Sequence, residues 1–271
     1  MQINQIPIIN YHKISPSYDI GITTRHPRRF EKDLEILKKH QFTAITFRDL
    51  IHSKRNVSNP IIITFDDAYE SIKIHALPIM NAYGFKGIVY PVTNYIGMYN
   101  EWDVQVGKYK FKHLNWQELN DFRDLEFEIG SHTQTHELLT KMDYEQQLNE
   151  LNQSKKVLED GLGCEVYSIS YPFGRFNQDT IRCVGETGYN FGLASLYFKN
   201  IEKNISNYVL KRFNIYRFDT DEQFERKIGI RNNNYIFYRD WMIQKGGLGT
   251  ALLQSIRKHL YSDRRLKAEL R

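Results

Sequence analysis

The sequence contains few cysteines, and neither of them is placed for a metal site. Only Cys164 and Cys183 occur among the 271 residues, without a C-x-x-C spacing and without a nearby pair of histidines. We therefore expect no metal centre built on cysteine, whereas the two thiols could either form a bridge or stay reduced.

The sequence also lacks a long apolar segment. No run approaches the roughly 20 apolar residues that a membrane-spanning helix needs. The N-terminus, M-Q-I-N-Q-I-P-I-I-N-Y-H, has no positively charged region followed by an apolar stretch, the pattern typical of a signal peptide. We expect no transmembrane segment and a cytoplasmic location for the chain as written, or a location outside the cytoplasm if a targeting segment has been removed.

The glycine-rich motifs of nucleotide-binding proteins are absent as well. No G-x-G-x-x-G or G-K-[ST] follows a predicted strand, which weakens the case for nucleotide-binding folds. The net charge is +5, but the lysines and arginines are spread along the chain. We interpret them as a solvated surface and expect no nucleic-acid partner. With 41% hydrophobic and 25% charged residues, the composition is that of a globular protein rather than a disordered or fibrous one.

Short apolar runs alternate with helical patterns along most of the chain. Strands are predicted at residues 6–11, 42–47, 61–65, 86–92, 125–129, 166–170, 191–196 and 210–216. Helices are predicted at residues 27–40, 68–83, from 115 onward, from 143 to 161, and at 178–188 and 221–228. Seven or eight strands separated by helices favour a parallel (β/α) barrel over an open doubly wound sheet. We assign the barrel to residues 1–228 and a helical, aromatic and basic extension to residues 229–271.

The run P-I-I-I-T-F-D-D-A-Y at residues 60–69 is the most informative stretch. Apolar and β-branched residues lead into Asp66 and Asp67, which predicts a buried parallel strand that ends in a charged site. Two like charges at the mouth of a core strand indicate a metal ion or acid/base chemistry, because repulsion and burial would otherwise raise one pKa. The alternative is a helix cap beside a solvated neighbour. Because side chains alternate along a strand, we expect the two carboxylates to point to opposite sides.

Two histidines follow another predicted strand, in H-T-Q-T-H at residues 132–136. Alone, a histidine pair at this spacing is weak evidence. Parallel strands of one barrel, however, deliver their carboxyl ends to the same face. His132 and His136, together with Asp66 or Asp67, would give two nitrogens and one oxygen with an open position, the pattern of a hydrolytic zinc site.

The third informative stretch is S-I-S-Y-P-F-G-R-F-N at residues 168–177. Proline and glycine predict a sharp turn at a strand end, whose backbone N–H groups could face a developing oxyanion. Tyr171, Phe173 and Phe176 would form an aromatic rim. An ordinary barrel loop is the alternative.

These motifs together resemble those of a known family. T-F-D-D at 64–67, H-T-Q-T-H at 132–136 and Y-P-F-G at 171–174 resemble, in order and approximate spacing, the leading motifs of the polysaccharide deacetylases, the NodB-homology fold of carbohydrate esterase family 4. N-Y-H-K at 10–13 and H-L-N-W at 113–116 resemble flanking segments. The resemblance covers roughly residues 5–220, and Y-P-F-G is similar to the subgroup that acts on poly-N-acetylglucosamine.

The resemblance implies a distorted (β/α) barrel of seven or eight parallel strands. It also implies metal-dependent removal of N-acetyl groups from N-acetylhexosamine units of a polysaccharide or glycan precursor. Asp66 would be the general base, and Asp67, His132 and His136 would be metal ligands for Zn²⁺, with Co²⁺ or Ni²⁺ as alternatives. The backbone N–H of Phe173 would help to hold the oxyanion.

The sequence departs from the family pattern in two places. Ser170 stands where the family often has an arginine that orients the base, so we expect either that Arg175 substitutes from the other side of the turn or that the base is held differently. The late histidine that serves many members as general acid is missing from residues 208–216. We predict His12 as the proton donor, the alternative being a structural histidine in the barrel mouth.

The long segment 94–113 is predicted to form a wall of the substrate cleft. Trp102 and Asp103 lie in this segment and are predicted to bind sugar, together with Tyr171 and Arg175. Besides an N-acetylated glycan as substrate, two other functions stay open. One is hydrolysis of an O-acetyl ester or of a non-sugar amide on the same barrel, and the other is a catalytically silent glycan-binding barrel. The oligomeric state is not predicted.

Overall fold

The structure is a computed structural model that describes residues 3–17, 21–53, 57–100, 111–195, 207–232 and 234–246. The strands in these ranges are β1 (Ile8–Tyr11), β2 (Lys13–Ile14), β3 (Thr24–Arg25), β4 (Thr43–Ala44), β5 (Pro60–Asp66), β6 (Ile88–Tyr90), β7 (Glu128–Ile129), β8 (Ser168–Ser170), β9 (Phe191–Ser195) and β10 (Leu210–Asn214). The α-helices are α1 (Pro27–Lys39), α2 (Phe47–His52), α3 (Leu77–Tyr83), α4 (Trp116–Asp124), α5 (Tyr144–Leu162), α6 (Gln178–Glu186), α7 (Asp221–Lys227) and α8 (Asn234–Gly246).

The main sheet contains seven parallel strands in the order β7-β6-β5-β1-β10-β9-β8, and the short β4 pairs with the start of β5. The two ends of this path meet just beyond β7, where Ser131 forms a parallel bridge with Ile169. The Ser131 N–H donates to the Ser168 carbonyl at 2.9 Å, and the Ser170 N–H donates to the Ser131 carbonyl at 2.8 Å. This arrangement confirms the predicted distorted (β/α) barrel.

Alternation along the strands divides the apolar side chains into two buried clusters. Inward-facing residues form one cluster, which includes Ile8, Ile62, Ile88, Leu193 and Leu210. Their neighbours in sequence pack outward against the helices, among them Ile9, Ile63 and Val89 with Leu34 and Leu37 of α1. Because every residue of β5 is buried, the strand reads as a nearly continuous apolar run, as expected for a strand covered on both sides.

The barrel interior changes from apolar to polar along the strands. The inward positions that follow Ile8, Ile62 and Leu210 at intervals of two are polar: Asn10, Thr64, Asp66, Arg212 and Asn214. They lie at the carboxyl ends of β1, β5 and β10. The polar side chains therefore face one another at one end of the barrel, and the inward-facing apolar cluster fills the rest of its interior.

Two predicted elements differ from the structure. The predicted helix at 68–83 begins only with a π-helical turn at Ile72–Ala76, before α3, because Asp67 and Ala68 are left-handed (φ 65° and 50°). The predicted strand at 42–47 is reduced to β4, because Thr46 caps α2. Thr46 Oγ accepts from the Asp49 N–H, and the Asp49 carboxylate accepts from the Thr46 N–H.

Helix α8 is joined to α7 by buried charges. Lys227 Nζ donates to the Asn214 carbonyl at 2.5 Å. It also lies 2.7 Å from the Asp219 carboxylate and 2.9 Å from the Asp240 carboxylate, and all three charged side chains are fully buried. Residues 234–246 of the segment beyond residue 228 thus form a helix that packs on α7, and the domain boundary at residue 228 stays a prediction. Within the described ranges no helix has the length and apolar character needed to cross a membrane, and Cys164 and Cys183 are both free thiols.

We predict that Asp240→Ala lowers the free energy of unfolding by about 3 kcal/mol or more, because it leaves Lys227 buried without one of its counter-charges. The control is Asp221→Ala, which removes the partner of Arg29 in a pair whose side chains are 40% and 44% exposed. That change should cost less than about 1 kcal/mol. Urea denaturation followed by circular dichroism measures both, and equal effects would contradict the assignment.

Candidate functional site

The polar end of the barrel contains a group of three candidate metal ligands. Asp67, His132 and His136 are buried, and one ligand atom from each lies within 4.8 Å of the others. The distances to Asp67 Oδ1 are 3.6 Å from His132 Nε2 and 3.5 Å from His136 Nε2. The structure therefore brings together the three residues that the sequence singled out as ligands.

The donor chemistry of this triad fits a divalent ion. The His132 Nδ1–H donates to the Ser170 carbonyl at 2.7 Å, which fixes the tautomer and directs the Nε2 lone pair toward Asp67. Burial lowers the pKa of His132. Burial and the neighbouring His132 lower the pKa of His136 well below its usual range. Both imidazoles are thus neutral, the form that binds metal.

The loops that carry the ligands adopt strained backbone conformations. Among the described residues, eight other than glycine have positive φ, and five of them lie in the three motifs or directly after one: Asp67, Ala68, Thr133, His136 and Phe173. Strain of this kind persists only where surrounding contacts hold it, and it clusters at functional sites. Two such contacts are the bonds that Glu150 accepts from the N–H and hydroxyl of Thr135, at 2.6 and 2.8 Å.

The turn at Asp67 is held from the outside by His113. The His113 Nδ1–H donates to the Asp67 carbonyl at 2.6 Å, and its ring stacks on Tyr69 at 4.8 Å. The next residue, Leu114, donates its N–H to the Ala68 carbonyl at 2.8 Å. The H-L-N-W segment therefore has a positioning role, and His113 acts through the backbone of a ligand.

Asp66 faces the same space as Asp67 but is held differently. It is the last residue of β5, and its Oδ2 lies 3.9 Å from His132 Nε2. The prediction that the two carboxylates point to opposite sides is therefore wrong. The left-handed Asp67 lies outside the strand, so alternation along the strand does not apply to it.

Arg212 forms a two-pronged ion pair with Asp66. Its Nη1 donates to Oδ1 at 2.8 Å and its Nη2 donates to Oδ2. Burial opposes ionisation of Asp66, but the Arg212 guanidinium outweighs it, so the pKa of Asp66 lies well below its usual range. Asp66 is consequently an oriented, ionised carboxylate.

The polar neighbours of this pair complete its hydrogen bonds. Arg212 Nη2 also donates to Ser170 Oγ at 2.7 Å, and Nη1 donates to Asn10 Oδ1 at 3.1 Å. The Asn10 amide in turn donates to Asp66 Oδ2 at 3.2 Å. The arginine that orients Asp66 is thus Arg212 from β10 and not Arg175, so of the two predicted alternatives the base is held differently. The available signal was an arginine at an inward position of the predicted strand 210–216.

His12 lies next to this network, just beyond β1. It is half-buried, and its Nδ1 is a buried nitrogen without a hydrogen-bond partner among the described residues. Burial lowers its pKa to about 4, against the attraction of Asp66 and with the help of Arg212. A neutral imidazole can donate to a leaving group only after it has gained a proton, and the role of His12 as donor stays a prediction.

The Y-P-F-G turn differs from its predicted form. Phe173 is left-handed (φ 58°), and its ring lies 5.1 Å from that of His136. Tyr171, predicted to line an aromatic rim and bind sugar, is fully buried in the core, and its hydroxyl donates to the Tyr208 carbonyl at 2.6 Å. That prediction is wrong, because the turn directs Tyr171 inward. Trp102 and Asp103 lie outside the described residues.

Comparisons with known proteins agree with the geometry. Residues 53–192 match the sequence profile of a family described as polysaccharide deacetylase. YxkH of Bacillus subtilis strain 168, a protein assigned to the polysaccharide deacetylases, is 28% identical over 196 residues, which cover 70% of this chain and 64% of that protein. The chain thus spans less than two thirds of YxkH.

Two further proteins are similar over most of the chain. The poly-β-1,6-N-acetyl-D-glucosamine N-deacetylase of Staphylococcus aureus strain MSSA476 is 24% identical over 243 residues, which cover 83% of this chain and 82% of that enzyme. The crystal structure of BC0361, a polysaccharide deacetylase from Bacillus cereus, superposes with a TM-score of 0.68 at 26% identity, over 82% of this chain and 68% of that one.

We predict that His136→Ala lowers the affinity of the metal-free protein for Zn²⁺ and Co²⁺ by at least about 100-fold. The reason is that even the loss of a residue that only hydrogen-bonds to a metal ligand lowers metal affinity by about 10- to 100-fold. Isothermal titration measures the affinity. His75→Ala, in the helical turn before α3, is the matched control and should bind metal like the wild type. Wild-type affinity in His136→Ala would exclude the triad as the metal site.

Proposed function

Since the chain belongs to the polysaccharide deacetylase family, we propose that it is a carbohydrate deacetylase, which removes N-acetyl groups from N-acetylhexosamine units of a polysaccharide or glycan precursor with a divalent metal ion. The observation that carries this proposal is the convergence of Asp67, His132 and His136 beside a carboxylate that Arg212 holds in place. The name of the S. aureus relative supports β-1,6-linked N-acetylglucosamine as the first substrate to test.

Asp67, His132 and His136 would hold the metal ion. Two imidazoles and a carboxylate with room for a further ligand suit Zn²⁺, and Co²⁺ or Ni²⁺ accept the same donors. Bound there, the ion would polarise the acetyl carbonyl and lower the pKa of a water molecule. The low pKa values of the two histidines keep their nitrogens available for this role.

Asp66 would accept the proton of the attacking water. The guanidinium of Arg212 keeps the carboxylate ionised and fixes its plane, so that the same oxygen stays beside the metal site. The backbone N–H of Phe173 would donate to the oxyanion that develops on the acetyl group. His12 would pass a proton to the departing amine after gaining one during the reaction.

The first experiment measures acetate release from β-1,6-linked N-acetylglucosamine oligomers in the presence of Zn²⁺ or Co²⁺. We expect release by the wild type and a loss of at least about 100-fold in kcat for Asp66→Asn, because a general base contributes about 10²- to 10⁴-fold. Asp66→Asn should still bind metal, which would distinguish the role of a general base from that of a metal ligand.

Other outcomes would support other functions. Release only from O-acetyl esters would identify an esterase, and no release from any glycan despite bound metal would identify a glycan-binding barrel. His12→Ala belongs in the same assay, since an unchanged kcat would exclude His12 as proton donor.

Arg212→Lys tests the ion pair without removing its charge. Lysine cannot form the two parallel hydrogen bonds of a guanidinium, so Asp66 should lose its fixed orientation. We expect kcat to fall by about 10- to 100-fold, the cost of a small misplacement of a reacting group. Arg182→Lys, at a side chain on α6 that is 59% exposed, is the matched control and should keep the wild-type kcat. Equal effects of the two substitutions, in proteins with native circular dichroism, would contradict the assignment of Arg212.

A further inference from the structure

A short turn after β10 presents an aromatic ring to solvent. Phe218 is 47% exposed and stacks on the buried Tyr216, with ring centroids 5.6 Å apart and planes at 18°. Behind this pair, Lys227 Nζ lies 4.5 Å from the Tyr216 ring centre, and the Arg239 guanidinium lies 5.4 Å from the Phe218 ring centre. The exposed ring therefore rests on a packed support.

The turn itself is fixed by buried polar groups. The Asp219 N–H donates to the Tyr216 carbonyl at 3.0 Å, and the Asp219 carboxylate accepts from the Tyr216 N–H at 2.8 Å. Arg25, which is fully buried, donates to the carbonyls of Tyr216 and Asp219 at 3.0 and 2.9 Å. Asp33 holds Arg25 in place through two hydrogen bonds of 2.6 and 2.9 Å.

Phe218 borders an open cleft of about 550 Å³. The other residues that line the cleft are polar or charged: Arg29, Arg217, Asp219, Thr220, Asp221 and Glu222. Arg29 Nη2 donates to Asp221 at 2.8 Å, so the two sides of the cleft are tied together. An aromatic face beside carboxylates, guanidinium groups and a hydroxyl suits a sugar ring, which has apolar C–H faces and a polar edge.

The cleft lies on the same side of the barrel as the metal triad. It is formed by the loop that follows the carboxyl end of β10 and by the first turns of α1 and α7. Phe218 is six residues beyond Arg212, so the two Cα atoms are separated by at most about 22 Å. Arg212 in turn contacts Asp66, whose Oδ2 lies 3.9 Å from His132 Nε2, so a glycan of several units is long enough to extend from the triad toward the cleft.

We propose that Phe218 and the cleft beside it form a second sugar-binding subsite, which holds another hexosamine unit of the glycan whose acetylated unit is at the metal triad. This inference rests on the proposed function and adds to it a preference for chains over single units. The rigid turn presents the ring in its binding position, so little ordering accompanies binding.

Phe218→Ala tests the subsite by comparing KM for long N-acetylglucosamine oligomers with KM for the disaccharide. We expect the ratio of the two KM values to rise by about 2- to 10-fold, the size of one aromatic contact. Tyr238→Ala is the control, because Tyr238 is 64% exposed on α8 and lies outside the cleft. An unchanged ratio in a folded Phe218→Ala protein would overturn the proposal.

A binding measurement separates this proposal from the proposed function. Long oligomers are titrated into Asp66→Asn and into Asp66→Asn combined with Phe218→Ala. A weaker affinity of the double variant supports the subsite, and equal affinities overturn it. Absence of acetate release by the wild type would contradict the deacetylase activity alone, since the titration does not depend on turnover.

Discussion

The buried ion pair between Arg212 and Asp66 is the interaction on which the polar end of the barrel depends. A carboxylate taken out of water is costly unless a partner compensates it in good geometry. Arg212 provides that compensation with two hydrogen bonds, and Asn10 and Ser170 satisfy the remaining donors and acceptors. Without the arginine, the Asp66 carboxylate would be a lone buried charge beside the candidate metal ligands. Neither its protonation state nor its orientation would then be fixed.

The closed barrel explains how this charged site coexists with a stable core. Its interior is filled by branched aliphatic side chains at the amino ends of the strands and by a satisfied polar network at the carboxyl ends. The ligands themselves are carried by strained loops, which His113 and Glu150 hold through hydrogen bonds to backbone groups and to Thr135. Stability and chemistry are thus separated along the barrel axis.

Buried charges also fix the rim next to the site. Arg25 with Asp33, and Lys227 with Asp219 and Asp240, hold the turn after β10 and the helix α8 that packs behind it. Such pairs contribute orientation more reliably than stability, because their desolvation offsets much of their attraction. The consequence here is that the stacked rings of Tyr216 and Phe218 are held in a fixed orientation just beyond the carboxyl end of β10.

The sequence by itself determined the barrel and the chemical groups of the site. The strand and helix periods, the paired carboxylates and the H-T-Q-T-H spacing are local patterns. Each can be recognised in a short stretch of sequence without knowledge of the fold. The tertiary structure alone decided that Arg212 holds Asp66, that Tyr171 is buried, and that Asp67 leaves the strand in a left-handed turn. These features depend on which strands are neighbours, and Arg212 and Asp66 are 146 residues apart. A local sequence pattern cannot predict such a pair, because only the order of strands around the barrel makes the two residues neighbours.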